Sequence, residues 1–264
     1  MLELKNISKT FNAGTVNEKV ALKNINLKLE EGDFVTIIGG NGAGKSTMLN
    51  AVAGTWLPDC GSVIVDGVDI TDMPEFKRAK FLGRVFQDPR MGTATDMWLE
   101  ENLAIAKRRG KSRTLRWAIT RKERDEYRDM LKQLDLGLEH RLTTKMGLFS
   151  GGQRQAVTLL MATMNKPKLL LLDEHTAALD PKTAAKVLEL TDKFITEGKL
   201  TALMVTHNMK DAIAHGNRLI MMNAGQIILD IKGEEKKNLT VEMLLEQFSK
   251  ASGTEFMNDR ALLG

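Results

Sequence analysis

Phe34-Val35-Thr36-Ile37-Ile38-Gly39-Gly40-Asn41-Gly42-Ala43-Gly44-Lys45-Ser46-Thr47 is the stretch on which the fold turns. Its first five residues are a short near-apolar run suited to a buried strand, and residues 45–53 are helix formers with apolar positions at helical spacing. Between them, Gly39-x-x-x-x-Gly44-Lys45-Ser46 matches the Walker A pattern in its confirming context of strand, glycine loop and helix. Polyphosphate is densely negative. Glycines let the backbone curl its N–H groups toward the oxygens, and the helix N-terminus adds its positive dipole end. In such a loop Lys45 bridges β- and γ-phosphate oxygens, the Ser46 hydroxyl ligates Mg²⁺, and Thr47 binds an α-phosphate oxygen.

Outward from this loop the text falls into three styles. Before it, residues 2–10 and 20–29 read as antiparallel strands, and 62–65 is a further strand ending in the turn dipeptide Asp66-Gly67. From 96 to 133 the chain is polar, rich in Lys, Arg and Glu, and helical in composition, which predicts a separate helical subdomain. After Gly152 helices at 153–164, 181–197 and 209–214 alternate with strands at 169–173, 201–206 and 218–222, the mark of a mainly parallel sheet with helices on both faces. An amphipathic helix around 243–248 precedes a polar tail. The expected fold class is therefore α/β.

Leu169-Leu170-Leu171-Leu172-Asp173-Glu174 supplies the second half of a phosphate site. Four apolar residues ending in two acids place carboxylates at the C-terminal edge of the sheet, where open α/β sheets bind ligands. Asp173 is expected in the Mg²⁺ shell, and Glu174 is expected to orient and activate the attacking water.

About twenty residues earlier, Phe149-Ser150-Gly151-Gly152-Gln153 resembles the signature loop of the ATP-binding-cassette (ABC) ATPases. A serine hydroxyl and glycine N–H groups at a helix start form an anion site. In that family it faces the γ-phosphate held by a second subunit. The resemblance covers roughly residues 1–235 and implies a P-loop NTPase core, an N-terminal antiparallel β subdomain and an inserted helical subdomain at about 88–150, with 236–264 left as a C-terminal helix and tail. It further implies roles for four residues in the family's order. Gln87 is similar to the glutamine that touches Mg²⁺ and the water, with 88–93 bearing on a permease coupling helix; Asp180 is similar to the loop aspartate that crosses the dimer interface. His207 is similar to the switch histidine at the γ-phosphate, and Phe11 to the aromatic on which adenine stacks. Taken singly, each also has an ordinary reading: surface amide, helix N-cap, strand-end histidine and core aromatic. Three departures stand out: Phe149 where leucine is usual, His175 where proline usually follows the catalytic glutamate, and Asn208 where an acid is usual. None removes Lys45, Asp173, Glu174 or His207.

Composition narrows the field without choosing a solute. With 264 residues, 42% hydrophobic, the chain can bury a large core. A net charge of only +4 gives no push toward nucleic acid. Cys60 is the one cysteine, which excludes a disulfide framework and a Cys-rich zinc site, fits a reducing compartment and suggests a small packed residue. The N-terminus has no secretory pattern, and no run approaches the about 20 apolar residues of a membrane-spanning helix. The strongest charge concentration is Lys107, Arg108, Arg109, Lys111, Arg113, Arg116, Arg121, Lys122, Arg124 and Arg128. A solvated helical face accounts for it most simply; contact with anionic lipid or acidic permease loops is the functional alternative, and nucleic acid a remote one. Trp98 and Trp117 flank it as packing anchors.

These readings, with the resemblance, imply an ATP-hydrolysing subunit that uses ATP and Mg²⁺, closes as a head-to-tail homodimer, and drives separate transmembrane permease subunits from the cytoplasmic side of the membrane. Import of an amino-acid-like solute delivered by an extracellular solute-binding protein is the expected use. The rivals are a non-transport cassette ATPase in signalling, division or nucleic-acid processing, and a P-loop kinase.

Overall fold

Phe34–Ile38 is buried at every residue because it runs through the middle of a sheet covered on both faces. The computed structural model describes residues 1–111 and 119–252, without the side chains of 251 and 252. In chain order its strands and helices are β1 Leu2–Phe11, β2 Lys19–Leu29, β3 Phe34–Ile38, α1 Lys45–Ala53, β4 Cys60–Val65, β5 Val68–Asp69, α2 Glu75–Arg78, β6 Leu82–Val85, α3 Leu99–Lys107 and α4 Arg121–Lys132. Then come α5 Gly151–Thr163, β7 Leu169–Asp173, α6 Pro181–Gly198, β8 Ala202–Val205, α7 Met209–Ala214, β9 Arg218–Asn223, β10 Gln226–Lys232, α8 Glu234–Lys237 and α9 Val241–Ser252.

Two sheets result. The smaller has order β2-β1-β4-β5 and antiparallel pairing throughout. The larger has order β10-β9-β3-β8-β7-β6; every pairing from β9 to β6 is parallel, and only the edge strand β10 runs antiparallel. Side chains alternate between its faces. Val35, Ile37, Leu169 and Leu171 join α1 and the antiparallel sheet in one core, whereas Phe34, Leu170 and Leu172 join the helical side in another.

Among the described residues the helical insertion has no core of its own. Leu99 and Leu103 of α3, Tyr127 and Leu131 of α4, and Met146 pack in one cluster with Ala156, Val157 and Leu160 of α5 and with β7. At the other end the boundary expected near 236 falls inside α8, and Leu244 and Phe248 of α9 share a cluster with Ile38, Leu219, Met221 and Ile231. The C-terminal helix is thus built onto the sheet.

Three expectations are corrected. Cys60 is exposed, its Sγ 3.8 Å from the Asn6 carbonyl, at the first residue of β4, beyond the reach of β5, which pairs only with Ile64 and Val65. Trp98 is 43% exposed at the N-cap of α3, so it is a poor packing anchor; Trp117, Arg113 and Arg116 lie outside the described residues. The basic stretch is a solvated face only in part: Lys111, Arg121 and Lys122 are exposed, but four of its cations are engaged by other parts of the chain. Lys107 pairs with Glu126, Arg108 with Glu123 at 3.0 Å, and Arg124 with the buried Glu100 at 2.7 Å. Arg109 donates to the Ala162 carbonyl. These contacts tie α3, α4 and α5 together.

Candidate nucleotide site

The sheet topology collects the chemistry. β3, β6, β7 and β8 are parallel, so the loops leaving their C-terminal ends emerge along one edge: Gly39–Lys45, Phe86–Gln87, Asp173–Glu174 and Thr206–His207.

Within the phosphate loop, Gly39 (φ 149°) and Gly44 (φ 102°, N-cap of α1) adopt conformations that L side chains rarely take. A Cβ on Gly39 would overlap the Met222 carbonyl, and one on Gly44 would lie 2.6 Å from the Ala21 carbonyl. Asn41 and Gly42 are exposed, Gly40 is half-buried and Ala43 is buried. The Lys45 ammonium is curled back into the loop, donating to the carbonyls of Gly39 (2.8 Å) and Gly40 (3.2 Å). Burial pulls its pKa down, while Glu174 and then Asp173 oppose that. Two carbonyls are modest partners for a buried cation, and an anion entering the loop would be a stronger one. Thr47 is half-buried in the first turn of α1.

Ser46 Oγ donates to Asp173 Oδ1 at 3.0 Å across 127 residues. A hydroxyl beside a carboxylate is the hard oxygen pair that Mg²⁺ takes, so the residues fit that ion. Gln87 shares with Asp173 and Arg84 a cavity of about 790 Å³. Glu174 follows directly, at φ 44°, with Oε2 3.8 Å from His207 Nδ1. His175, beside it, is buried, and desolvation drops its pKa to about 4, leaving the ring neutral. Asn208 caps α7, accepting from the N–H groups of Lys210 and Asp211.

The signature segment is bonded within its own helix start and packs against the residues around Asp180. Ser150 Oγ accepts from Gln153 N and Gln153 Oε1 from Ser150 N, both at 3.2 Å, a reciprocal capping box opening α5. A Cβ on Gly151 would touch Leu179 at 3.4 Å, and one on Gly152 would overlap Thr183. Asp180 caps α6, accepting from Thr183 N at 3.1 Å; the Thr183 hydroxyl and then its backbone N–H lower the carboxyl's pKa. The ordinary N-cap reading of Asp180 is therefore real, and its neighbours Leu179 and Thr183 lie against Gly151 and Gly152 of the signature helix. Phe149 is buried beneath the Arg141 guanidinium. Phe11 is half-buried, its ring meeting Trp56 edge-on at 5.2 Å.

Two neighbours of the site escape sequence reasoning. Lys19, the cross-strand partner of Phe11, carries its Nζ to the phosphate loop, 3.4 Å from a Cβ built on Gly42. Arg84 donates to Asn50 Oδ1 (2.5 Å) on α1 and to Thr55 Oγ1 (3.0 Å), joining β6 to the helix that follows the loop. Neither lies in a local motif.

A phosphate loop closed by a hydroxyl–carboxylate pair and a glutamate–histidine pair at the C-terminal edge of a parallel sheet defines a P-loop nucleoside-triphosphate hydrolase. Comparisons narrow the class. The family model for ABC transporters matches residues 22–177. Over 251 residues, 95% of this chain and all of its relative, the sequence is 45% identical to the tyrosine transport ATP-binding protein of Clostridioides difficile (strain R20291). It is 32% identical over 228 residues to a choline transport ATP-binding protein of Bacillus subtilis (strain 168), covering 86% of this chain and 56% of that one. A dimeric ATP-binding cassette in a post-hydrolysis state with ADP and Pi superposes at a TM-score of 0.75 with 32% identity, covering 88% of this chain and 98% of that one. The chain belongs to the ABC transporter family, as an ATP-hydrolysing, nucleotide-binding subunit. Among the described residues no helix is long and apolar enough to cross a membrane.

Proposed function

We propose that this subunit powers import of an amino-acid-like solute, with tyrosine the first candidate, through separate permease subunits and with an extracellular solute-binding protein. The single observation that carries the motor reading is the division of the site. Lys45, Ser46, Asp173, Glu174 and His207 converge on one edge, while Ser150 to Gln153 cap their own helix and pack toward Leu179 and Thr183. A second copy placed head to tail completes each site, so residues 1–235 act as one cassette that closes on ATP at the cytoplasmic face of the membrane. The solute reading draws on the 45% identity to a protein named for tyrosine transport along its whole length.

In the closed site Lys45 leaves the Gly39 and Gly40 carbonyls for phosphate oxygens. The loop N–H groups hold the β-phosphate, Thr47 the α-phosphate, and Phe11 stacks on adenine. Ser46, Asp173 and Gln87 would hold Mg²⁺, which supplies charge neutralisation on the phosphate oxygens. Glu174 accepts the proton of the attacking water while His207 fixes the carboxylate and reaches the γ-phosphate. The partner's copy of Ser150 to Gln153 caps the transferred group, and Asp180 lines the seam.

The test is uptake of labelled tyrosine into vesicles reconstituted with this chain, a candidate permease pair and a candidate solute-binding protein. ATP-dependent uptake abolished by Lys45→Ala supports the reading. Efflux, or ATP turnover indifferent to amino acids and to the binding protein, overturns the importer assignment.

A further inference from the structure

Glu174 is a non-glycine residue in the left-handed region, φ 44°. Such conformations persist where the surroundings over-determine them, and they gather at functional sites. Its own backbone bonds are conventional: the N–H donates to the Val205 carbonyl at 3.0 Å, and its carbonyl accepts from Ala177 N at 3.0 Å. The unusual contact belongs to the next residue. The His175 side chain, 2% exposed, points into the interior against α6, with Nε2 3.0 Å from Thr191 Oγ1. The Thr191 hydroxyl has one proton, and that proton is donated to the Val187 carbonyl at 2.8 Å. Its oxygen must therefore accept, so His175 carries its proton on Nε2, and the tautomer is fixed.

This bond pins the corner immediately after the catalytic strand to the middle of α6. The same helix begins at the Asp180 cap and presses Thr183 against Gly152 of the signature helix. One rigid element thus touches the base-bearing corner, the Asp180 loop and the start of α5.

We infer that His175 is a positioning residue: its Nε2–H bond to Thr191 locks the Glu174 backbone and so aims the Glu174 carboxylate. The inference rests on the reading of Glu174 as the base that activates water. It assigns a task to a side chain that stands where the family usually has proline, a residue that restricts the backbone by its ring. Here a buried hydrogen bond does the restricting.

The experiment uses the full chain and measures kcat and KM for MgATP, affinity for a fluorescent ATP analogue, and Tm. His175→Gln keeps an N–H donor at similar reach, and His175→Met fills the space without one. His175→Met is expected to lower kcat about ten- to a hundredfold with ATP affinity within about twofold, and His175→Gln to restore kcat to within about threefold of the parent. Thr191→Val, which removes the acceptor from the other side, should reproduce the kcat loss, and the double variant should be no worse than either single one. A folded His175→Met with parental kcat overturns the inference. So does a kcat loss in His175→Gln as large as in His175→Met, or a loss that tracks Tm and ATP affinity alike. Should His175→Met and Thr191→Val both fail to fold, a soluble, ATP-binding His175→Gln decides: turnover supports the lock, and its absence overturns it. Failure of the underlying reading shows elsewhere, as Glu174→Gln retaining turnover.

Discussion

The phosphate loop and the signature loop are both glycine-bearing helix N-termini, each proposed to receive an anion, yet the chain treats them differently. The first is enclosed by its own chain: Lys45 rests on two loop carbonyls, and Ser46 is bonded to a carboxylate 127 residues away. The second is bonded only locally, Ser150 to Gln153 and back. Among the described residues only the first, the finished half, has a hydroxyl–carboxylate pair and a buried lysine gathered around it, and in the proposed function completion of the second, the unfinished half, falls to a partner. On the function proposed above, a second copy would supply the missing half by symmetry, each copy giving as well as taking.

Glu174→Gln should have the largest effect and tests the finished half. Removing the base while keeping the shape is expected to lower the rate of phosphate release about a thousandfold, and the unhydrolysed ATP should hold two chains together in size-exclusion chromatography with light scattering. A monomer under saturating ATP would break the sandwich.

Next in size is a complementation that separates the halves. Lys45→Ala spoils the finished half and Ser150→Leu the unfinished one, each expected to cost about a hundredfold in turnover as a homodimer, typical of losing one transition-state contact. Mixed in equal amounts, half of the dimers pair one variant with the other, and each of those has one site with both halves intact. About a quarter of the parental turnover should then return. No recovery would mean that both loops serve the same nucleotide within one chain.

How much of this could be read beforehand depended on distance along the chain. The elements Phe34–Ile38, Lys45–Ala53, Leu169–Asp173 and Met209–Ala214 match the sequence reading at both ends, because each is bounded by its own glycine, cap or acid. Strand Gln226–Lys232 was not visible; it exists by pairing with β9, whose side chains complete its pattern. Part of the basic stretch departs from the solvated-face reading for the same reason. Arg124 finds Glu100 24 residues back, and Arg108 finds Glu123 15 residues on, partners that only the folded insertion brings near. Arg84 of β6 meets Asn50 of α1 only in the fold, and Cys60 is exposed at the start of β4, where the short β5 does not reach.

Gly152 sharpens the comparison through packing. A methyl there would overlap Thr183 of α6, so Gly152→Ala should destabilise the chain by about 1–3 kcal/mol, the usual cost of overpacking, read as a lower midpoint in urea. Adding Thr183→Ser deletes the offending methyl and should recover most of the loss while keeping the hydroxyl. If Gly152→Ala is as stable as the parent, the signature helix does not rest on α6 as closely as the packing shows.

The smallest effect belongs to Lys19, and it concerns how completely the finished half is finished. Its strand places it opposite Phe11, and its ammonium reaches the exposed flank of the phosphate loop at Gly42. Among the described residues it has no ion-pair partner. A cation between the aromatic expected to stack on adenine and the loop expected to hold phosphate adds attraction for the nucleotide without touching the reacting atoms. Lys19→Met should therefore weaken ATP and ADP binding alike, by about three- to tenfold at low salt, with kcat unchanged and the difference shrinking as ionic strength rises. A selective loss for ATP over ADP would instead place Lys19 at the γ-phosphate. That result would add a reacting-end contact to the half of the site that this chain supplies by itself.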